Sequence, residues 1–332
     1  MFPEILLVFT TSLIRVGLLV AMAIPGFVLK KLKKLPENSI VVISALIIYI
    51  SQPMLSLYSF IEAKFSSELL FNMGIAFVLA IIFNVGSVLL AKIVFLKDKD
   101  VPAGKVCTIG SALSNCGFMG IPVIKVLFND PQITIYALIY MIVFNIVLWT
   151  AGVYIISGDK KYVSVKKAFL NLPTVVLIIG LPIFFLNLNL PESTNPAIQA
   201  LMSFCQYFNN FNAPLPMLIM GIRLADVKFK ELFNSKRVYI ASLLKLIVFP
   251  ALALLIMWLI SIIPSFPIDN KTIASVLICV AMPTATMTMT FAEVFNGDKY
   301  TAVKVTLQTT LFSIVTIPLF VTILSLIGFV VL

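Results

Sequence analysis

Apolar runs of about twenty residues, the length that carries a helix across a bilayer, recur along the chain between short polar loops. They fall at 5–29, 39–60, 69–95, 106–128, 133–157, 168–188, 197–222, 238–262, 271–294 and 301–330. The pattern predicts ten membrane-spanning helices. Two of the runs contradict their own apolar character. The fourth carries Ser114, Asn115, Gly117, Gly120 and Pro122 well inside it, and the ninth carries Met282, Pro283, Thr284 and Thr286. Glycine weakens a helix, and proline removes a donor and clashes with the preceding turn. Non-helical backbone at membrane depth survives only when buried in protein or facing a watery cavity. Spans four and nine are therefore expected to be unwound.

The order of these features repeats. Pro25, Pro53, Phe83 and Pro122 in spans one to four have counterparts in Pro182, Pro216, Phe249 and Pro283 in spans six to nine. Pro53-Met54-Leu55 matches Pro216-Met217-Leu218. The broken spans close on Val126-Leu127-Phe128-Asn129-Asp130 and Val294-Phe295-Asn296-Gly297-Asp298. Together these matches point to an internal repeat, 1–157 and 158–332. Five spans per repeat is odd, so the second copy is expected upside down, as in many secondary carriers.

Composition agrees with a polytopic membrane protein. Of 332 residues, 61% are hydrophobic and 11% charged, against about 25% charged in soluble domains. Mean hydropathy is +1.10. The net charge of +10 marks topology rather than a nucleic-acid partner. Nineteen Lys and Arg residues fall at one alternating set of loops, and three (Lys64, Lys125, Lys271) at the other. The positive-inside rule then places the basic loops in the cytoplasm and both termini outside. The first run continues past twenty residues into Lys30, Lys31, Lys33 and Lys34, which anchors a span rather than marking a cleaved signal. There is no His, and the four Cys have no metal-ligand spacing. No metal, cofactor or catalytic constellation is expected.

An unwound span becomes two half-helices. The second of each pair presents free N–H groups and a positive dipole end. Pro122 and Pro283 suit the first turns of those half-helices, and Thr284, Thr286 and Thr288 supply capping hydroxyls. In inverted repeats the two positive ends face each other, which makes an anion site. A carboxylate is the natural guest, held against Asn115, Gly120, Ile121, Pro122, Pro283, Thr284 and Thr286. Glu293, ten residues past Pro283, is either an interfacial acid or a proton-linked gate. Arg15 lies about 15 Å into span one, and an intramembrane Arg is a functional candidate. It either attracts the anion or pairs with a helix C-terminus. Lys245 is read as snorkelling inward from the end of span eight. Asn145 and Trp149 in span five, and Gln308 with Thr306, Thr309, Thr310, Ser313 and Thr316 in span ten, form polar faces that can satisfy the unwound backbone or touch substrate. Gln52, Pro53 and Met54, with Asn212, Pro216 and Met217, are candidates for tuning the pocket.

Asn115-Cys-Gly-Phe-Met-Gly-Ile-Pro122, Met282-Pro283-Thr284-Ala285-Thr286, Phe291-Ala292-Glu293 and Asn296-Gly297-Asp298 resemble the auxin efflux carrier family. That family includes plant auxin exporters and bacterial organic-acid carriers for malonate and malate. The resemblance covers essentially the whole chain. The long central loop of many plant members is missing, so the chain looks like a bacterial short form. The resemblance implies an all-α fold of two inverted five-helix repeats, with spans four and nine crossing near Pro122 and Pro283. Spans one, two, six and seven would form a dimerising scaffold, and spans three to five and eight to ten a moving transport domain. Asn115 matches a family position near the substrate carboxylate.

The reading that follows is a multi-pass secondary carrier in the cell membrane, moving a small organic anion by alternating access. Its partners would be that anion, the lipid bilayer and a second copy of the chain, with no nucleic acid. Two rivals stand beside it. A cation/proton antiporter of the same fold would want carboxylates beside the breaks, and neither break contains one. A non-transporting membrane sensor has no appended domain to support it.

Overall fold

The computed structural model describes residues 2–170, 172–186, 190–263, 266 and 268–330. They form an all-helical bundle. In chain order the principal helices are α1 (Glu4–Lys31), α2 (Ser39–Glu62), α3 (Ser67–Phe95), α4 (Val101–Ala112), α5 (Cys116–Phe128), α6 (Pro131–Ser157), α7 (Leu172–Leu186), α8 (Pro196–Asn209), α9 (Pro214–Ala225), α10 (Lys236–Ser261), α11 (Asn270–Ala281), α12 (Met287–Val294) and α13 (Lys299–Leu326).

Among the described residues six helices, α1, α2, α3, α6, α10 and α13, are long and apolar enough to cross a membrane. The other four apolar runs of the sequence appear as shorter pieces. Runs four and nine are split into α4 and α5, and α11 and α12, as their polar clusters predict. Run six is the 15-residue α7, and its expected end at 187–188 lies outside the described residues. Run seven, expected as one helix, is divided into α8 and α9 by a tight turn at Asn210–Asn212. Pro214 and Pro216 cannot donate to the preceding turn. The Asn212 amide replaces the lost order by donating to the carbonyls of Asn209 (2.9 Å) and of Ser51 in α2 (2.7 Å).

Proline also shapes the long helices. A five-residue π-turn ends immediately before Gln52-Pro53, Ile121-Pro122 and Phe249-Pro250. The ring excludes the i−4 carbonyl, so the chain widens by one residue rather than breaking. At Pro53 and Pro250 the long helices are widened in this way and continue.

The exterior is apolar, with Leu6, Leu7, Ile14 and Leu18 of α1 and Leu89 and Ile93 of α3 exposed. Small and polar residues turn inward, as Ala76, Ala80, Asn84 and Ala91 of α3 show. This suits helices that associate by close packing rather than by hiding apolar surface from water. Among the described glycines the tightest contacts join α1 to α9. A Cβ at Gly221 would stand 1.9 Å from the Ala23 carbonyl oxygen, and one at Gly26 would stand 2.3 Å from that of Leu218. Those two glycines let the backbones touch.

Candidate functional site

The two unwound segments meet. Leu113 leaves α4 in an extended conformation, and Met282 leaves α11 the same way. Ser114 and Thr284 form an isolated antiparallel bridge. The Asn115 N–H donates to the Pro283 carbonyl (2.8 Å), and the Ala285 N–H to the Leu113 carbonyl (2.9 Å). Each break thus satisfies backbone groups that the other leaves open, which hydrocarbon would not do. The polar face of α13 completes the arrangement, since Thr309 Oγ1 accepts from the Thr284 N–H at 3.1 Å.

Several sequence expectations need correction here. Pro283 does not begin a half-helix; it lies in the extended segment, and α12 starts four residues later. Pro122 follows the π-turn that opens α5, so it sits past the first turn and well beyond the bridge. The crossing is at Ser114 and Thr284 instead. The threonines do not cap α12. The Thr284 hydroxyl donates to the Gly110 carbonyl of α4 at 2.5 Å. Thr286 makes no capping bond, and the Thr288 hydroxyl is buried with no hydrogen-bond partner among the described residues. Helix opening at these points is imposed by pairing across the chain, so local capping chemistry is not needed.

Lys245 is the largest departure. It does not snorkel; it is 1% exposed. Its Nζ donates to Ser114 Oγ at 2.5 Å and to the Val280 carbonyl, near the end of α11, at 3.0 Å. Ser114 Oγ also approaches the Val280 carbonyl, at 3.3 Å. The ammonium therefore stands where the negative end of α11 meets the first break. The Tyr140 hydroxyl faces Ser114 and Asn84 from the neighbouring helices. Sequence distance from Arg237 suggested an interfacial lysine; the π-turn Leu244–Val248 instead aims the side chain inward.

On the other side of the crossing is a cavity of about 180 Å³. Asn115, Gly117 and Phe118 line it from the start of α5, and Ala285, Thr286 and Met287 from the start of α12. Gln52 of α2 and Asn145 and Trp149 of α6 close it, with apolar walls from Ile48, Met141, Phe144 and Leu148. No charged side chain is among these lining residues. Asn115 is 4% exposed, and its side-chain amide makes no hydrogen bond to another described residue. Two helix starts and three side-chain amides thus converge on a small, largely apolar space. Gly117 brings the backbone close at its floor, where a Cβ would stand 3.0 Å from the Met141 sulfur and push that side chain aside.

The remaining candidates are placed as follows. Gly120 packs on Met282: a Cβ would lie 3.1 Å from the Met282 side chain, a tight contact that requires that side chain to shift. Ile121 and Pro122 face a second cleft, as does Asn212. Pro53 is buried behind its π-turn, and Pro216 and Met217 are buried in α9. Gln308 is structural: it accepts from Ser242 at 2.6 Å and donates to the Leu232 carbonyl at 3.0 Å. Glu293 is exposed and its charge acts on Arg223. Arg15 donates to the carbonyls of Leu127 (2.7 Å) and Val126 (3.3 Å), so of its two readings the structure shows the helix C-terminus. The apolar walls Phe118, Met141, Phe144 and Leu148 were missed in the sequence, where they are indistinguishable from lipid-facing residues.

Comparison with known families matches residues 11–321 to the membrane transport protein family. The match spans nearly the whole chain, so the chain belongs to this family, that of the auxin efflux carriers, and is a multi-pass membrane transporter. A comparison with curated proteins finds no match.

Proposed function

We propose that this member of the membrane transport protein family is a secondary carrier for a small organic carboxylate, held at the Asn115 cavity and moved by alternating access. The carrying observation is Asn115: a buried amide with no hydrogen-bond partner among the described residues, facing a cavity onto which two helix N-termini open. Free N–H groups and dipole ends favour an anion there. The Lys245 charge behind Ser114 adds to that field. The Phe, Trp and Met walls favour an acid with an apolar body over a compact dicarboxylate. The absence of Asp and Glu from the lining residues weighs against a cation/proton antiporter.

The transport cycle we infer divides the ten spans of two inverted repeats into a scaffold (one, two, six, seven) and a transport group (three to five, eight to ten). The ion pairs support this division. Lys30–Asp226 (3.5 Å) and Lys64–Glu192 (2.6 Å) lie within the first set. Arg237 with Asp98 (2.9 Å) and Asp100 (2.7 Å), and Lys271 with Asp130 (2.8 Å), lie within the second. Such pairs stay intact when the groups slide. We place the protein in the cell membrane as a homodimer, with basic loops cytoplasmic and both termini outside, on the charge bias and the family resemblance.

The test is uptake into proteoliposomes of a panel of mono- and dicarboxylates, preselected by thermal shift. Asn115→Ala is expected to abolish most of the flux while the protein folds and inserts normally. Unchanged flux in that variant refutes the site.

A further inference from the structure

The cleft on the other side of Pro122 is larger and more polar than the Asn115 cavity. It encloses about 310 Å³, at the lower end of the ~300–1,000 Å³ typical of ligand sites. Leu55, Tyr58 and Glu62 of α2, Lys125 of α5 and Asn209 of α8 form its working walls. Lys125 is held weakly. Its Nζ reaches Asn209 Oδ1 at 3.4 Å, a long contact for a charged donor, and lies 5.7 Å from the centre of the Tyr58 ring. An ammonium has three donors, and no ion pair within 4.0 Å engages Lys125 among the described residues. Of the two nearby acids, Asp130 is committed: it pairs with Lys271 at 2.8 Å and accepts from the Gln132 N–H at 2.8 Å. Glu62, the last residue of α2, is the remaining acid, and its charge acts on Lys125.

We propose that this cleft is a second carboxylate site, in which the anion takes the Lys125 ammonium from Asn209. The proposal rests on the carboxylate reading of the Asn115 cavity. A carboxylate makes a shorter and stronger bond to an ammonium than a neutral amide oxygen does, so the exchange is favourable. Glu62 opposes it by repulsion and sets how tightly the anion is held. Asn115 and Lys125 lie at the two ends of one half-helix, ten residues or about 15 Å apart. The site is therefore a station on the Asp130 side of the crossing. Its occupancy also breaks the contact between Lys125 and Asn209, which joins the transport group to the scaffold. Anion binding there loosens the group that must move.

The test uses [14C]phenylacetate binding to the purified full-length chain by scintillation proximity, with thermal unfolding to verify folding of each variant. The wild type is expected to bind two equivalents per chain. Lys125→Gln loses one, Lys125→Arg keeps both, and Glu62→Gln binds the second equivalent more tightly. Asn115→Ala loses the other equivalent. Lys125→Gln that binds as the wild type overturns the second site and leaves the Asn115 cavity standing. Loss of binding in Lys125→Gln with none in Asn115→Ala overturns the cavity reading instead. No binding to the wild type overturns both for this class of acid, and weaker binding in Glu62→Gln overturns the role given to that residue.

Discussion

Lys245 and Ser114 are joined by a 2.5 Å hydrogen bond between ammonium and hydroxyl, 131 residues apart in sequence, at the point where the two unwound spans cross. The bond ties the middle of α10 to the first break, and the same ammonium reaches the Val280 carbonyl ahead of the second. Lys245 bonds a hydroxyl and a carbonyl rather than a carboxylate, and burying a charge without a counter-ion costs the fold desolvation energy that an apolar side chain of similar length does not. Lys245→Met should therefore insert and unfold near the wild-type temperature. Its carboxylate flux should fall at least ~10-fold, equivalent to 1.4 kcal/mol in barrier height, because the positive field behind Asn115 is gone. Flux assays and thermal unfolding on the same preparation separate the two effects.

Arg15 offers a contrast. Its bonds to the Val126 and Leu127 carbonyls cap the end of α5, so its role is support. Arg15→Leu leaves those carbonyls without a charged donor, at a cost of about 1.5–3 kcal/mol. The unfolding temperature should drop by a few degrees, with the half-saturating carboxylate concentration unchanged. A large rise in that concentration would instead assign Arg15 to attraction of the anion.

Trp149 lines the Asn115 cavity, whereas the other tryptophan, Trp258, is on the outer face of α10 and 40% exposed. Titration with a transported carboxylate should change the intrinsic fluorescence, and Trp149→Phe should remove that response while Trp258→Phe keeps it. A response surviving in Trp149→Phe would place the ligand elsewhere.

Gly221 tests the scaffold. A side chain there meets the Ala23 backbone at 1.9 Å, and backbone cannot move aside as a flexible side chain can. Overpacking typically costs about 1–3 kcal/mol. Gly221→Val should lower the yield of folded protein and its unfolding temperature more than Gly17→Val, where a Cβ meets nothing within 4 Å.

The breaks of spans four and nine were readable because proline, glycine and polar residues in an apolar run leave few alternatives. Asn115, Thr286, Gln52, Asn145 and Trp149 were readable for the same reason, and the structure gathers them around one cavity. The error over Pro283 and the threonines came from treating each break alone. Their partners are on another span: the Thr284 hydroxyl bonds to Gly110, 174 residues away. Lys245 was misjudged because distance along a helix predicts depth, while direction depends on the local π-turn and on what α10 packs against. Lys125 looked like an ordinary loop-side lysine, since nothing near it in sequence announces Tyr58, Glu62 or Asn209.

Hydrophobic runs and their interruptions are local properties. Every peptide group in hydrocarbon must find a partner nearby, so the order of residues alone marked the helical runs, the openings of spans four and nine, and the loops that carry positive charge, though not the turn that divides run seven. Which groups close those openings is a different matter. The bridge between Ser114 and Thr284, the burial of Lys245 and the cleft beside Lys125 depend on contacts between spans far apart in the chain. They exist only once the helices have packed, because distance and direction in three dimensions decide which donor meets which acceptor.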